Sequence, residues 1–168
     1  DFKSKYKNVE HVVYDSISDS KALDAFEIAY GVRALPSYDF SKPDYIVSVG
    51  ADFLGDWQGG DHDSGYVKGR IPSRNIEGKA RMSKHIQIES NMSLTGSNAD
   101  RRIPMTPTQQ KIALSKIYSY ITGTTIDEEL PQKLDIIIKK ISKELLKAGE
   151  KGIIVTGCLL YTSDAADE

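Results

Sequence analysis

Cysteine is almost missing from this chain: Cys158 is the only one in 168 residues. A lone thiol excludes an internal disulfide, and it excludes any cysteine-ligated zinc or iron–sulfur site within these residues. Neither charge is in excess, with 22 Lys+Arg against 24 Asp+Glu. The basic stripe of a nucleic-acid binder is therefore absent, and no nucleic-acid partner is expected. No apolar run approaches the ~18 residues that span a bilayer. G-x-G-x-x-G, G-x-x-x-x-G-K-[ST] and G-x-S-x-G do not occur. Ordinary dinucleotide, P-loop and nucleophile-elbow readings thereby lose their main support. What is present, 39% hydrophobic and 27% charged residues, is the composition of a globular protein. The length suits one domain able to bury ~70% of its unfolded surface.

The last eleven residues stand apart. Cys158-Leu159-Leu160-Tyr161-Thr162-Ser163-Asp164-Ala165-Ala166-Asp167-Glu168 reads as the conceptual translation of a transposase-type sequencing adapter. Residues 158–168 are therefore expected not to be native, and residues 1–157 to be an internal fragment of a longer protein that opens at Asp1-Phe2-Lys3 without an initiator Met. The tail holds the one Cys and three of the 24 acids. Residues 1–157 then carry 22 basic and 21 acidic groups, net +1, and no Cys.

Apolar spacing predicts alternating strands and helices. Val9–Tyr14 is short, β-branched and aromatic, the pattern of a strand. Ser18 is placed to cap a helix with Ala22, Leu23, Phe26, Ala29 and Tyr30 on one face, stopped at Gly31. Pro36–Pro43 is a connector. Asp44–Val49 is a continuous apolar run, as in a strand covered on both faces of a parallel sheet. Residues 50–84 sustain neither period and hold seven of the 13 glycines. They are read as one long loop anchored by Trp57, whose glycines permit close approach of a ligand or partner. Lys79–Lys84 is expected to be basic and exposed. His85–Glu89 alternates and reads as a third strand, with Ser90–Pro104 a second loop. Thr106-Pro107-Thr108-Gln109 spells a capping box with Pro at the first helical position. The helix it opens puts Ala113, Leu114, Ile117, Tyr118 and Ile121 on one face and ends at Gly123. A further helix from Pro131 to Gly149 carries Leu134, Ile137, Ile138, Ile141 and Leu145, and Gly152–Thr156 is a fourth strand. The order β-α-β-loop-β-α-α-β predicts a Rossmann-like α/β unit, a mostly parallel sheet with flanking helices.

In such a sheet, ligands bind beyond the carboxyl ends of the strands. Three ends are candidates: Gly50-Ala51-Asp52, Glu89-Ser90-Asn91 and Thr156-Gly157. An acid in this position accepts hydrogen bonds from a ribose or a guanine, or else caps a loop. Asp61-His62-Asp63 has the residue types of a metal site. Adjacent residues converge poorly on one ion and no second His is near, so a solvated loop is expected. His11 is read as sheet-facing, His85 as packed or surface-exposed, and Arg101-Arg102 as a solvated pair. No reaction follows from these residues alone.

Two blocks carry a resemblance. Asp52-Phe53-Leu54-Gly55-Asp56-Trp57 is followed by Gly59-Gly60 and Gly65-Tyr66, and a long ungapped stretch runs from Ser83 to Pro104. Together they resemble the molybdopterin-oxidoreductase-like iron–sulfur subunit of bacterial alternative complex III, also labelled a TAT-variant-translocated molybdopterin oxidoreductase. The resemblance covers essentially all of residues 1–157. It implies a fragment of a dimethyl-sulfoxide-reductase-superfamily-like domain, lying upstream of the part that binds iron–sulfur clusters. It further implies a membrane-associated, quinol-oxidising electron-transfer complex on the periplasmic face of the bacterial cytoplasmic membrane. The other subunits would be the partners, and quinol an indirect one.

Superfamily members bind a molybdenum bis(pterin guanine dinucleotide) cofactor. Their strand-end Asp-Pro-Arg is replaced here by Glu89-Ser90-Asn91, and their Pro-Gly-Thr-Asp by Thr106-Pro107-Thr108-Gln109. Gly50, Ala51, Asp52, Glu89, Ser90 and Asn91 are accordingly expected to form a vestigial guanine-nucleotide pocket in a cofactor-free, non-catalytic scaffold, with no catalytic or metal-binding residue in the fragment. Residues 50–84 and an exposed region around Trp57 are the expected contact surfaces. The alternatives are a catalytic molybdenum oxidoreductase domain and an unrelated nucleotide-binding α/β module.

Overall fold

The computed structural model describes residues 2–12, 14, 20–55, 57–74 and 80–157. In chain order these form α1 (Phe2–Lys5), α2 (Ser20–Tyr30), β1 (Tyr45–Val49), a single 3-10 turn (Trp57–Gly59), α3 (Asp63–Arg70), β2 (Ser73–Arg74), β3 (Ala80–Arg81), β4 (Lys84–Glu89), α4 (Leu94–Ser97), β5 (Arg101–Pro104), α5 (Pro107–Thr122), α6 (Gln132–Ala148) and β6 (Gly152–Thr156). The chain is an α/β unit. Its four main strands pair in the order β5-β4-β1-β6, all parallel. The short β2 and β3 form a separate antiparallel pair.

The apolar run at Tyr45–Val49 occupies the place its composition predicts: every residue of β1 is buried, and β1 lies between β4 and β6. Tyr45, Val47 and Val49 face one way, with Ile86, Ile88 and Ile103, and meet Ala113 and Ile117 of α5 and Ile138, Ile141 and Leu145 of α6. Burying side chains of this size stabilises by roughly 1.5–3 kcal/mol each. Ile46 and Val155 face the other way, towards Phe40, Phe53, Trp57 and Tyr66. Phe40 stacks on Phe53 with ring centroids 4.2 Å apart.

The capping box at Thr106 is formed. Gln109 N donates to Thr106 Oγ1, and Thr106 N donates to Gln109 Oε1. Helices α2 and α5 end at Gly31 and Gly123, as their sequences predict, and both glycines have positive φ. The α5 face is narrower than its spacing suggests, since Tyr118 and Ile121 are exposed.

Five expectations change. Val9–Val12 and Tyr14 are in no strand, and Val12 and Tyr14 are exposed, so His11 faces no sheet; Val13 lies outside the described residues, as does the expected cap Ser18. A β-branched run becomes a strand only where a neighbour pairs with it. The supposed loop 50–84 contains the two-turn α3, whose Tyr66 alone is buried, too short a stripe to show a period. The supposed loop 90–104 contains α4 and the edge strand β5, whose Arg-Arg-Ile-Pro carries little β signature. Of the stretch expected to be basic and exposed, Lys84 is exposed but Ser83 is buried. Trp57 is buried rather than exposed, and its Nε1 donates to Thr156 O at 3.2 Å.

Candidate functional site

Strands β4 and β5 extend the sheet to one side of β1, and the chain then crosses back through α5 and α6 to place β6 on the other. Such a reversal leaves a crevice at the strand ends. Here it is a cleft of about 180 Å³ lined by Gly50, Asp52, Glu89, Ser90 and Asn91, together with Ser93, Pro107, Gln110 and Gly157. Five of the six residues expected to form the nucleotide pocket thus meet in one place, joined by Gly157 from the third strand end. The sixth, Ala51, lies beneath the cleft, fully buried; its carbonyl accepts from Ser48 Oγ (2.8 Å) and Gln87 Nε2 (3.3 Å). Strand ends β1 and β6 approach so closely that a Cβ on Gly157 would overlap the Gly50 carbonyl.

Glu89 is the hub of the cleft wall. Oε1 accepts from Ser93 N (3.2 Å) and Arg102 Nε (2.5 Å), and Oε2 accepts from Ser93 Oγ (2.6 Å) and Gln87 Nε2 (3.1 Å). Four donors meet the roughly four lone-pair positions of a carboxylate. Burial works against the charged form, but the bonds from Ser93, Arg102 and Gln87 outweigh it and hold the carboxyl below its ordinary range. Arg102 is therefore no solvated partner of the exposed Arg101; it is half-buried and spent on Glu89. Gly96 presses on the same carboxylate, and a Cβ there would overlap Glu89 Oε1. Asp52 is also engaged. Its Oδ1 accepts from Thr95 N (2.9 Å) and Thr95 Oγ1 (2.7 Å), and Leu54 N donates to Thr95 Oγ1 (2.9 Å). The two carboxylates thereby fasten α4 to the ends of β1 and β4. On the remaining wall, Gln110 Nε2 donates to Ser90 Oγ (2.7 Å) and Met105 O (3.0 Å).

Behind Glu89 runs a buried polar row along β4. His85 Nε2 lies 3.3 Å from Gln87 Oε1, and His85 Nδ1 lies 3.0 Å from Tyr66 Oη. The partners assign the protons. Gln87 Nε2 faces two acceptors, Ala51 O and Glu89 Oε2, so Gln87 Oε1 must accept and His85 Nε2 must donate. Burial is the main reason the ring stays neutral, pushing its pKa down to about 4. The single proton of the Tyr66 hydroxyl lies between two acceptors at 3.0 Å, the Asn98 carbonyl and His85 Nδ1. Arg70 closes the far end, bidentate to Asp100 at 2.6 and 2.9 Å, while His85 N donates to Asp100 Oδ2 at 2.7 Å.

Asp61, His62 and Asp63 do not converge. Asp61 has φ 66°, Asp63 opens α3, and the His62 ring packs 5.5 Å from both Phe40 and Trp57 rather than standing in solvent. Among the described residues no group of three or more His, Cys, Asp and Glu could hold a metal ion, and no helix is long and apolar enough to cross a membrane. Sequence reasoning missed Ser93, Thr95, Arg102 and Gln110. The signal for Ser93 was present as a serine one residue before Leu94, a helix-capping position, but a four-residue helix has no period to draw attention to it.

Fold and site together define an α/β unit with a small cleft at its strand ends. No family model matches the chain, and no curated protein matches it.

Proposed function

We propose that residues 1–157 are a cofactor-free scaffold within the molybdopterin-oxidoreductase-like subunit of a quinol-oxidising, membrane-associated electron-transfer complex. In this reading the fragment has no catalytic residue. Its iron–sulfur clusters lie elsewhere in the subunit, the complex stands at the periplasmic face, and the strand-end cleft is a relic of a nucleotide pocket.

The observation that carries the cofactor-free part is the saturation of Glu89. A guanine base is recognised by carboxylate oxygens with free lone pairs, and those of Glu89 already accept from Ser93, Gln87 and Arg102. Thr106 and Gln109 are likewise spent on each other. The volume agrees, since about 180 Å³ falls short of the roughly 300–1,000 Å³ of ordinary ligand pockets. These residues do not fit a guanine dinucleotide, so no chemistry is routed through one.

Metal and pterin analysis of the purified full-length subunit tests the reading. The expected result is no stoichiometric molybdenum or pterin, with iron present. Stoichiometric molybdenum would establish the catalytic alternative, and the absence of iron, haem-bearing partners and quinol oxidation would point to an unrelated α/β module.

A further inference from the structure

The two edges of the sheet differ in chemistry. The outer strand β5 carries Arg101, Arg102 and Pro104 in four residues, the charges and proline that keep a free edge from pairing. At the other edge β6 reads Gly-Ile-Ile-Val-Thr, with no charge and no proline. Its backbone is set out for a neighbour. Lys151 O accepts from Asp44 N, and Gly157 N donates to Val49 O. In a parallel ladder alternate residues point to opposite sides, so residues 151, 153, 155 and 157 face β1 and Ile154 turns its N–H and C=O outward. No strand among the described residues pairs on that side. The Ile154 side chain, on the α6 face, is still 37% exposed.

Helix α6 adds a charge pattern. Asp135 accepts from Tyr120 of α5, and Lys139 lies over the Tyr120 ring, which fixes the flank turned towards α5. At 100° per residue the opposite flank is the row Lys133, Ile137, Lys140, Glu144, Lys147, and its three lysines are exposed. A second copy paired through β6 would have to run antiparallel about a two-fold axis and would set these lysines against their own images.

We propose that the outer edge of β6 receives one further strand, parallel to it and contributed by the same polypeptide outside residues 2–157. A connecting helix packs beside α6 and presents it an acidic flank. The right-handed crossover rule puts that helix on the α5–α6 face, where it covers Ile154. The added strand is apolar on both faces, as β1 is. This rests on the reading of the chain as part of a longer subunit.

Amide hydrogen exchange, compared between the 168-residue chain and the full-length subunit, tests it. The Ile154 amide should exchange at least about 100-fold more slowly in the full-length subunit. Reversing Lys133, Lys140 and Lys147 to Glu should remove about 10-fold of that protection there and change nothing in the isolated chain. Equal exchange in both proteins would overturn the proposal. So would a dimer of the isolated chain that Ile154→Lys dissolves, because the occupant would then be a second copy. Molybdenum content of the same full-length sample reports on the scaffold reading independently.

Discussion

The two faces of the sheet are built on different principles. On the α5–α6 face, Val47, Val49, Ile86 and Ile88 share one apolar cluster with Ile117, Ile138 and Ile141. On the opposite face Ser48, His85, Gln87 and Glu89 are as deeply buried, none more than 4% exposed, but each is held by a named partner. Non-directional burial tolerates substitution of similar volume. A hydrogen-bonded row does not, because removing one member leaves its partners desolvated and unpaired. The difference teaches where the molecule is brittle: at the Glu89 wall of the strand-end cleft, which faces a wall of Pro107 and Gln110 from α5.

The sharpest way to break this contrast is Glu89→Ala, which strands Arg102, Ser93 and Gln87 at once. It should cost about 3–5 kcal/mol, the range for breaking a buried charge pair, read by denaturant unfolding. His85 comes next, through pH. Its pKa is about 4 folded against about 6.5 unfolded, so the unfolded chain binds the extra proton in that interval. Stability is complete above pH 6.5 and should fall by up to about 3 kcal/mol as pH drops to 4. A His85→Phe variant should lose the part of that slope lying between pH 6.5 and 5, before the carboxylates titrate. On the apolar face, Ile138→Val should cost only about 1 kcal/mol at every pH, and a pH-dependent cost would erase the distinction between the faces. Smallest of all, Asp24→Asn at the exposed ion pair with Arg33 should change stability by less than about 0.5 kcal/mol in a thermal melt.

The same division explains what could be read from the sequence. The apolar face announces itself, because α5 and α6 repeat isoleucine and leucine at helical spacing and their ends carry Thr106, Gly123 and Gly149. The strand ends were equally legible: Gly50, Asp52 and Glu89-Ser90-Asn91 follow apolar runs, and all five line one cleft. The alternation of His85-Ile86-Gln87-Ile88-Glu89 predicts a strand, yet it ordinarily marks one that is half in water. Here both sets of side chains are interior, and only the placement of Tyr66, Ala51 and Ser93, from three other segments, makes the polar set affordable. Those partners act across separations that no local pattern encodes. Elements α3, α4 and β5 escaped for a related reason, being four to eight residues long and held by contacts rather than by periodicity. Val9–Val12 and Tyr14 show the reverse failure, a local preference that pairs with no strand among the described residues.

The strand order carries a consequence in time. Tyr45 of β1 aligns with Lys84, 39 positions later, and with Gly152, 107 positions later. At roughly 5–20 residues per second of synthesis, the central strand waits on the order of 5–20 s between its own emergence and that of its second neighbour. Throughout that interval Ile46 and Val47 belong to an unfinished sheet with one side open. Long-range parallel pairing of this kind makes folding slow and exposes it to misassociation. The kinetics of this chain are therefore governed by its most buried strand, which is among the earlier elements made and the last to be enclosed.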